Sequence, residues 1–383
     1  MLDWREVLAV EEPGVRRRFG DMCAGVTLHR QGRSLIALMP DGGFRCLSTG
    51  FFNGGYTDSP QAVVNTTSLG GDVEWEMMGL PREVHDECTA MCIAKIGLDT
   101  SRTVGLGTAA NMDNAYLVNG EADDGTPVSV VMTGGVRGNG GRAGDPAGFD
   151  EIERYYHREG TIVTIAVIDA VLSDSALLDA VSLATQAKSC ILQELMARSL
   201  YSRGYATGSG TDQVVVVCRS DPSGTPVGSV RMDSDIGREL CLCVRRALLG
   251  TFDLQSGMTA ETQCDPFVTL SRLGVDMPRI RDEIRFGATM SSLLEAEGIL
   301  RRDSRLTAMT LLAAHLDDEV RNGCIPAGDA LSFVKDRIGG ALLAGIRTDP
   351  VLDLRLERTE DIAHHMSLVT AILIQHTARG LMA

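Results

Sequence analysis

The chain has 383 residues, a formal net charge of -15, and 44% hydrophobic against 23% charged residues. That length predicts more than one domain's worth of material, with the composition of an ordinary globular chain. The acidic balance excludes a surface built to follow a phosphate backbone and disfavours an anionic membrane surface.

The amino terminus carries Asp3, Glu6, Glu11 and Glu12 and lacks the basic and apolar regions of a secretory signal. Further along, no segment reaches the roughly 18 apolar residues that a membrane helix needs. The ten cysteines lack the spacing of a disulfide framework, so they are expected as reduced thiols in a cytoplasmic protein.

Strand patterns come first. AGVTLHR (24–30), SLIALMP (34–40) and FRCLSTGFF (44–52) predict an N-terminal meander, with Asp41-Gly42-Gly43 as a hairpin turn. Residues 82–97 predict a helix ending near Gly97. TVGLGTAA, NAYLV and VSVVMTGG are further strands, the last two joined by a polar turn at Asp123-Asp124-Gly125. TIVTIAVIDAV (161–171) is β-branched and almost wholly apolar, as a buried strand is. Ser173 then caps a long helix, and the loop ATGSGTD (206–212) runs into Val214–Val217. Strand, helix, strand is the pattern of a crossover unit. Beyond about 250 the pattern is helical, with amphipathic runs at 304–323 and 361–380.

The expected architecture is an α/β domain of mixed sheet and packed helices over 1–250, followed by an all-α extension over 251–383. The apolar faces of that extension are candidates for covering a pocket or for joining copies in a homo-oligomer.

Three loops rich in glycine follow or precede strands: 51–58, 133–148 and 206–212. Glycines there let backbone N–H groups approach a ligand. Asn53, Gly54, Gly55, Thr108, Thr133, Asn139, Arg142, Asp145, Thr207 and Ser209 are the candidate substrate-binding residues of one shared pocket. Each loop is also readable as a strained turn alone, and none has the phosphate-binding spacing. Lys188 falls on the apolar stripe of its helix with Val181, Thr185, Leu192 and Leu195. It either snorkels to the surface or serves a buried anion or carbonyl. Thr161, Thr211, Thr108 and Ser209 are candidate nucleophiles, without a nearby histidine in sequence. Gly160-Thr161 is a turn before a strand or a self-processing junction that frees an N-terminal nucleophile. His85, Cys88 and Cys92 share a helical face but read as core, so no metal site is expected. His364 and His365 are adjacent and diverge.

Taken together, LSTGFFNGG (47–55), VGLGTAANMDNA (104–115), VMTGGVRGNGGRAGDPA (131–147), GTIVTIAVID (160–169), ALLDAVSLATQAK (176–188), LYSRGYATGSGTD (200–212) and DIGREL (235–240) resemble the adenosylcobinamide amidohydrolase family. The resemblance implies hydrolysis of the amide between a corrin propionyl side chain and aminopropanol, in corrinoid salvage. The corrinoid is then a small-molecule substrate and no certain cofactor is assigned, while the acidic balance leaves no nucleic-acid or membrane partner expected. On that footing Asp212 is expected as general base or orienter of a nucleophile. Thr207, Ser209, Thr211 and loop amides would be oxyanion donors, Asn53 and Asn139 would position substrate, and Lys188 would stabilise charge. Val163, Gln186, Asp233, Asp235 and Arg238 stand where the family pattern has Asn, Glu, His, Lys and Glu. The alternatives are hydrolysis of another amide, such as a tetrapyrrole conjugate, and corrinoid binding without turnover.

Overall fold

The computed structural model describes residues 11–67, 82–146, 149–150, 155–156, 161–222, 226–284, 288–348 and 350–382. The chain divides into two compact units, Met1–Thr259 and Ala260–Ala383.

In the first unit, strands appear in chain order as β1 (Arg17–Asp21), β2 (Thr27–Gln31), β3 (Ser34–Leu38), β4 (Phe44–Ser48), β5 (Gly55–Asp58) and β6 (Ala62–Thr67). After helix α1 (Arg82–Lys95) come β7 (Thr103–Thr108), β8 (Tyr116–Glu121) and β9 (Pro127–Gly134). Three two-residue strands follow: β10 (Gly140–Gly141), β11 (Phe149–Asp150) and β12 (Tyr155–Tyr156). The rest is β13 (Ile162–Val171), α2 (Asp174–Glu194), β14 (Gly208–Ser209), β15 (Gln213–Arg219) and α3 (Asp235–Ser256).

These strands form two large sheets. One is five-stranded in the order β1-β2-β3-β6-β7, the other six-stranded in the order β5-β4-β15-β13-β9-β8. Alternation along each strand explains why they stack. Leu35, Val63, Val104, Leu106, Val131, Val163, Ile165, Val215 and Val217 point from both sheets into one shared apolar core. The opposite face of the six-stranded sheet, including Val130, Ala166, Val214 and Val216, packs on α2 and α3. The opposite face of the five-stranded sheet, with Ile36 and Val64, packs on Ile93 of α1. The unit is therefore helix, sheet, sheet, helix.

This stacking corrects the N-terminal meander. β2 and β3 form a hairpin, but β3 pairs next with β6 while β4 pairs with β15 and β5. Gly42 and Gly43, both at positive φ (74° and 77°), carry the chain from one sheet to the other. The physical reason is that Leu35 and Ala37 of β3 and Phe44 and Cys46 of β4 all need the same core. They meet across it, not side by side. The strand expected over 44–52 also stops at Ser48. There a Cβ on Gly50 would sit 2.7 Å from Leu106.

The β8–β9 hairpin forms around Gly125. β13 and β15 run parallel, with α2 as the crossover between them. The Ser173 hydroxyl accepts the Ala176 N–H at 3.1 Å and caps α2. Ser234 caps α3 in the same way through Gly237 N–H, and Gly257 ends it at φ 61°.

The second unit is helical around its own core, which includes Leu270, Leu293, Ala313, Val334, Met366 and Ile374. A π-helical turn, Val334–Gly339, lies where a Cβ on Gly339 would run into the His365 ring. His365 is 4% exposed while its neighbour His364 is exposed, so the two rings do diverge. Among the described residues, no helix is long and apolar enough to cross a membrane.

Candidate active site

Register places six strand ends together. β4 and β9 finish where β13 and β15 begin, because Ser48 pairs with Val215, Gly134 with Ile162 and Gln213 with Val163, and the ends of β6 and β7 are brought there by the Asn65–Thr133 and Gln213–Gly107 hydrogen bonds. The loops at 49–54, 135–146 and 206–212 all connect to this end of the six-stranded sheet. Two of them are sewn together. β10 pairs with β14, Thr207 N–H donates to Gly141 O at 2.8 Å, and Ala143 N–H donates to the Thr207 hydroxyl at 2.9 Å.

Asp212 is the hub on the helix side of the sheet. Its Oδ1 accepts the Ile162 N–H at 3.0 Å and the Ser209 hydroxyl at 2.6 Å. Its Oδ2 accepts the Ser209 N–H at 3.0 Å and the Lys188 ammonium. An ionised carboxylate has about four acceptor positions, and all are in use. The same group thus holds the first peptide of β13, the 206–212 loop and the middle of α2. Gly208 makes the approach possible, since a Cβ there would fall against Asp212 Oδ2 and 2.8 Å from Lys188 Nζ.

Lys188 is 5% exposed. That overturns snorkelling: its stem follows the apolar stripe inward and its ammonium finds a buried anion. The pair is protected from water on both sides, with side-chain exposures of 7% and 11%.

Thr161 directly precedes the same strand but faces the other way, into the space between the sheets. Its hydroxyl donates to Thr211 O at 2.7 Å, and it is buried. Gly160 lies outside the described residues, as does the side chain of His85. Gln213, one position after Asp212, bridges the two sheets: its amide donates to Gly107 O at 2.8 Å and accepts the Gly107 N–H at 3.2 Å. Thr133 faces the same space and its Oγ1 accepts the Asn65 carboxamide N–H at 2.9 Å. Thr108 accepts the Ala110 N–H at 3.0 Å. Asn65 and Gln213 are not legible as site residues in the sequence. Each is a lone amide in a β-branched strand, and only the sheet-to-sheet packing gives it a face.

Other candidates are spent on the loops themselves. The Asn53 carboxamide donates to Thr100 O and Thr103 O, both at 2.8 Å. Its two N–H donors are thus committed to the protein, and Asn53, at φ 50°, pins the 51–58 loop to the start of β7. Gly54 packs so closely that a Cβ would run into Gly50 O, whereas Gly55, at φ 87°, has open space. Asn139 is buried next to β10, and Arg142 reaches Tyr205 O at 3.5 Å. Burial pushes the Asp145 carboxyl up, but hydrogen bonds from Ser199, Ser202 and the Arg142 N–H outweigh it and hold the group below its ordinary range. Asp145 therefore orders the 142–145 turn. Burial pushes the Cys92 thiol up to about 11, so it stays protonated at neutrality.

Of the residues expected to depart from the family pattern, one lies among the buried strand-end residues and the rest do not. Gln186 is exposed and bonds Ser182 at 3.2 Å. Asp233, Asp235 and Arg238 sit around the first turn of α3. α3 runs alongside β9 from Cys243 at Val128 O to Gln255 beside Gly135. Its first turn is therefore at the end of the sheet away from the glycine loops. Val163 is the exception: it lies between Thr133 and Gln213 on the inter-sheet face.

A stretch of 169 residues is 31% identical to an uncharacterized protein of Methanocaldococcus jannaschii, covering 40% of this chain and 64% of that protein. The chain thus spans less than two thirds of that relative's length. A stretch of 226 residues is 26% identical to the adenosylcobinamide amidohydrolase of Halobacterium salinarum, covering 57% of this chain and 85% of the other. Among solved structures, a protein of Pyrococcus horikoshii OT3 aligns with TM-score 0.30 and 15% identity, over 62% of this chain and 83% of its own. The L-aminopeptidase D-Ala-esterase/amidase of Ochrobactrum anthropi aligns with TM-score 0.27 and 11% identity, over 64% and 85%. Residues 21–260, the larger part of the chain, match the sequence model of the adenosylcobinamide amidohydrolases, and the chain belongs to that family.

Proposed function

We propose that this protein hydrolyses the aminopropanol amide of adenosylcobinamide, at the strand ends that carry Thr161, Asp212 and the glycine loops. Water is consumed, the C–N bond breaks, and the products are adenosylcobyric acid and aminopropanol, which leaves with the extra proton. Such a reaction needs a held carbonyl, donors for the developing oxyanion and a proton for the amine. The observation that carries the reading is the family match over 21–260, which spans all six converging strand ends.

The contacts support the following roles. Asp212, with its four acceptor positions taken, fits the orienting role better than the basic one: it fixes the start of β13 and so the place of Thr161. Lys188 holds that carboxylate in place through a direct charged hydrogen bond. Thr161 and Thr211 are the hydroxyl-bearing residues at the mouth of β13 and β15. Thr207, Ser209, Asn139 and Arg142 shape the two joined loops that enclose the substrate. Incubation of the full chain with adenosylcobinamide, followed by liquid chromatography and mass spectrometry, is expected to show the cobyric acid product. Binding without product would instead favour a corrinoid carrier.

A further inference from the structure

The core between the two sheets is apolar along most of its length and then changes character. At the end where β13 and β15 begin, the inward positions include Ser48, Asn65, Thr108, Thr133, Thr161 and Gln213, all buried. They come from both sheets, and direct hydrogen bonds join the sheets there, one between Asn65 and Thr133 and two between Gln213 and Gly107. Buried polar groups in a sandwich core are costly unless each is paired. At the far end of β9 that rule is obeyed: Ser129 accepts the Cys23 N–H at 2.7 Å and donates to Asn119 at 2.6 Å.

Asn65 breaks the rule. It is 1% exposed, its N–H₂ is held by Thr133, and its Oδ1 has no hydrogen-bond partner. Register locates it. Thr133 is opposite Val163, so Thr161 is the diagonal neighbour of Thr133, about 7–8 Å away between Cα atoms, a span that side chains cross. A hydroxyl can donate as well as accept. Turning the Asn65 amide over therefore keeps the Thr133 bond and offers N–H in place of C=O.

We propose that the polar end of the inter-sheet space is where the scissile amide is held, and that Asn65, fixed by Thr133, is the residue that hydrogen-bonds it beside Thr161. This rests on the amidohydrolase reading above and adds a residue and a face to it. A carboxamide is the matching group for a secondary amide, since its C=O takes the substrate N–H and its N–H₂ takes a carbonyl oxygen gaining charge. The Lys188–Asp212 pair lies on the other face of the same sheet and positions β13 from behind.

The test separates a ligand-serving asparagine from a structural one. Asn65→Leu fills the same space without polar atoms. If the unpartnered atom serves substrate, this variant keeps or raises the melting temperature and lowers kcat/KM by about 100-fold, the usual scale for loss of one oxyanion or substrate hydrogen bond. Thr133→Val, which leaves the amide unheld, is expected to lower kcat/KM about tenfold with the fold intact. Wild-type turnover in Asn65→Leu would overturn the inference and leave the amidohydrolase reading standing. A lower melting temperature or failure to fold would overturn it by showing that Asn65 serves the core. A wild-type chain without turnover would overturn the amidohydrolase reading itself. The melting temperature of Asn65→Leu then decides separately for the inter-sheet site, a rise supporting it and a fall overturning it.

Discussion

Lys188 and Asp212 form the buried ion pair around which the loops are built, and its energetics are lopsided. Deleting one partner of such a pair leaves an uncompensated charge and costs about 3–5 kcal/mol, although the intact pair contributes little net stability. Lys188→Met is therefore expected to lower the unfolding free energy by about that much. Adding Asp212→Asn to it should recover part of the loss, because the stranded charge is gone while the Ile162 and Ser209 donors keep an acceptor. Urea titration of the single and double variants measures both. Equal stability of Lys188→Met and wild type would show the ammonium to be solvated after all. In the sequence, Lys188 was legible as an oddity on an apolar stripe, and Asp212 as a carboxylate at a strand mouth. That they meet was not legible, because 24 residues separate them and the stripe fits a surface lysine equally well. Asn65 was less legible still. AVVNTT reads as a strand whatever its fourth residue does, and its partner Thr133 is 68 residues away.

At the scale of elements, the crossover β13-α2-β15 explains the loop 206–212. A parallel pair must return the chain to the same end of the sheet, so the loop from α2 and the first residue of β13 are brought side by side. The close approach there depends on Gly208. Gly208→Ala is expected to cost about 1–3 kcal/mol by overpacking against the Lys188–Asp212 pair. Gly210→Ala, with nothing within 4 Å of its Cβ position, should be near neutral. Thermal unfolding of the two variants is the comparison; equal effects would mean that the loop relaxes freely. The periodic elements were visible in the sequence: the crossover unit, the β8–β9 hairpin and the Ser173 cap. The sheet in which each strand sits was not. Asp41-Gly42-Gly43 has the residues of a hairpin turn, and local turn chemistry cannot tell a return within one sheet from a step across the core. That step is set by where Phe44 and Cys46 can be buried.

For the molecule as a whole, the two units carry different kinds of information. The first holds the family match and all the converging strand ends. The second holds a pH-sensitive core. Burial, then the charges of Lys335 and His364, push the His365 imidazole down to about 4 from 6.5. With the folded value depressed, the unfolded chain binds the proton more readily. The His365 contribution to the helical unit is therefore expected to be fully present above about pH 6.5 and to fall as pH drops towards 4, by about 3 kcal/mol in total. Amide hydrogen exchange over Met366–Ile374, corrected for its intrinsic pH dependence, should accelerate across that window, and His365→Gln should remove the effect. A flat profile in the wild type would contradict it.

The central claim is hydrolysis of an amide. Its most direct measurement is the reaction of the full chain with adenosylcobinamide in water enriched in oxygen-18, with the product masses followed over time. Hydrolysis is expected to give cobyric acid carrying one heavy oxygen in its new carboxylate, with aminopropanol released in equal amount. Unchanged cobinamide, or a product whose carboxylate carries no label, would contradict it.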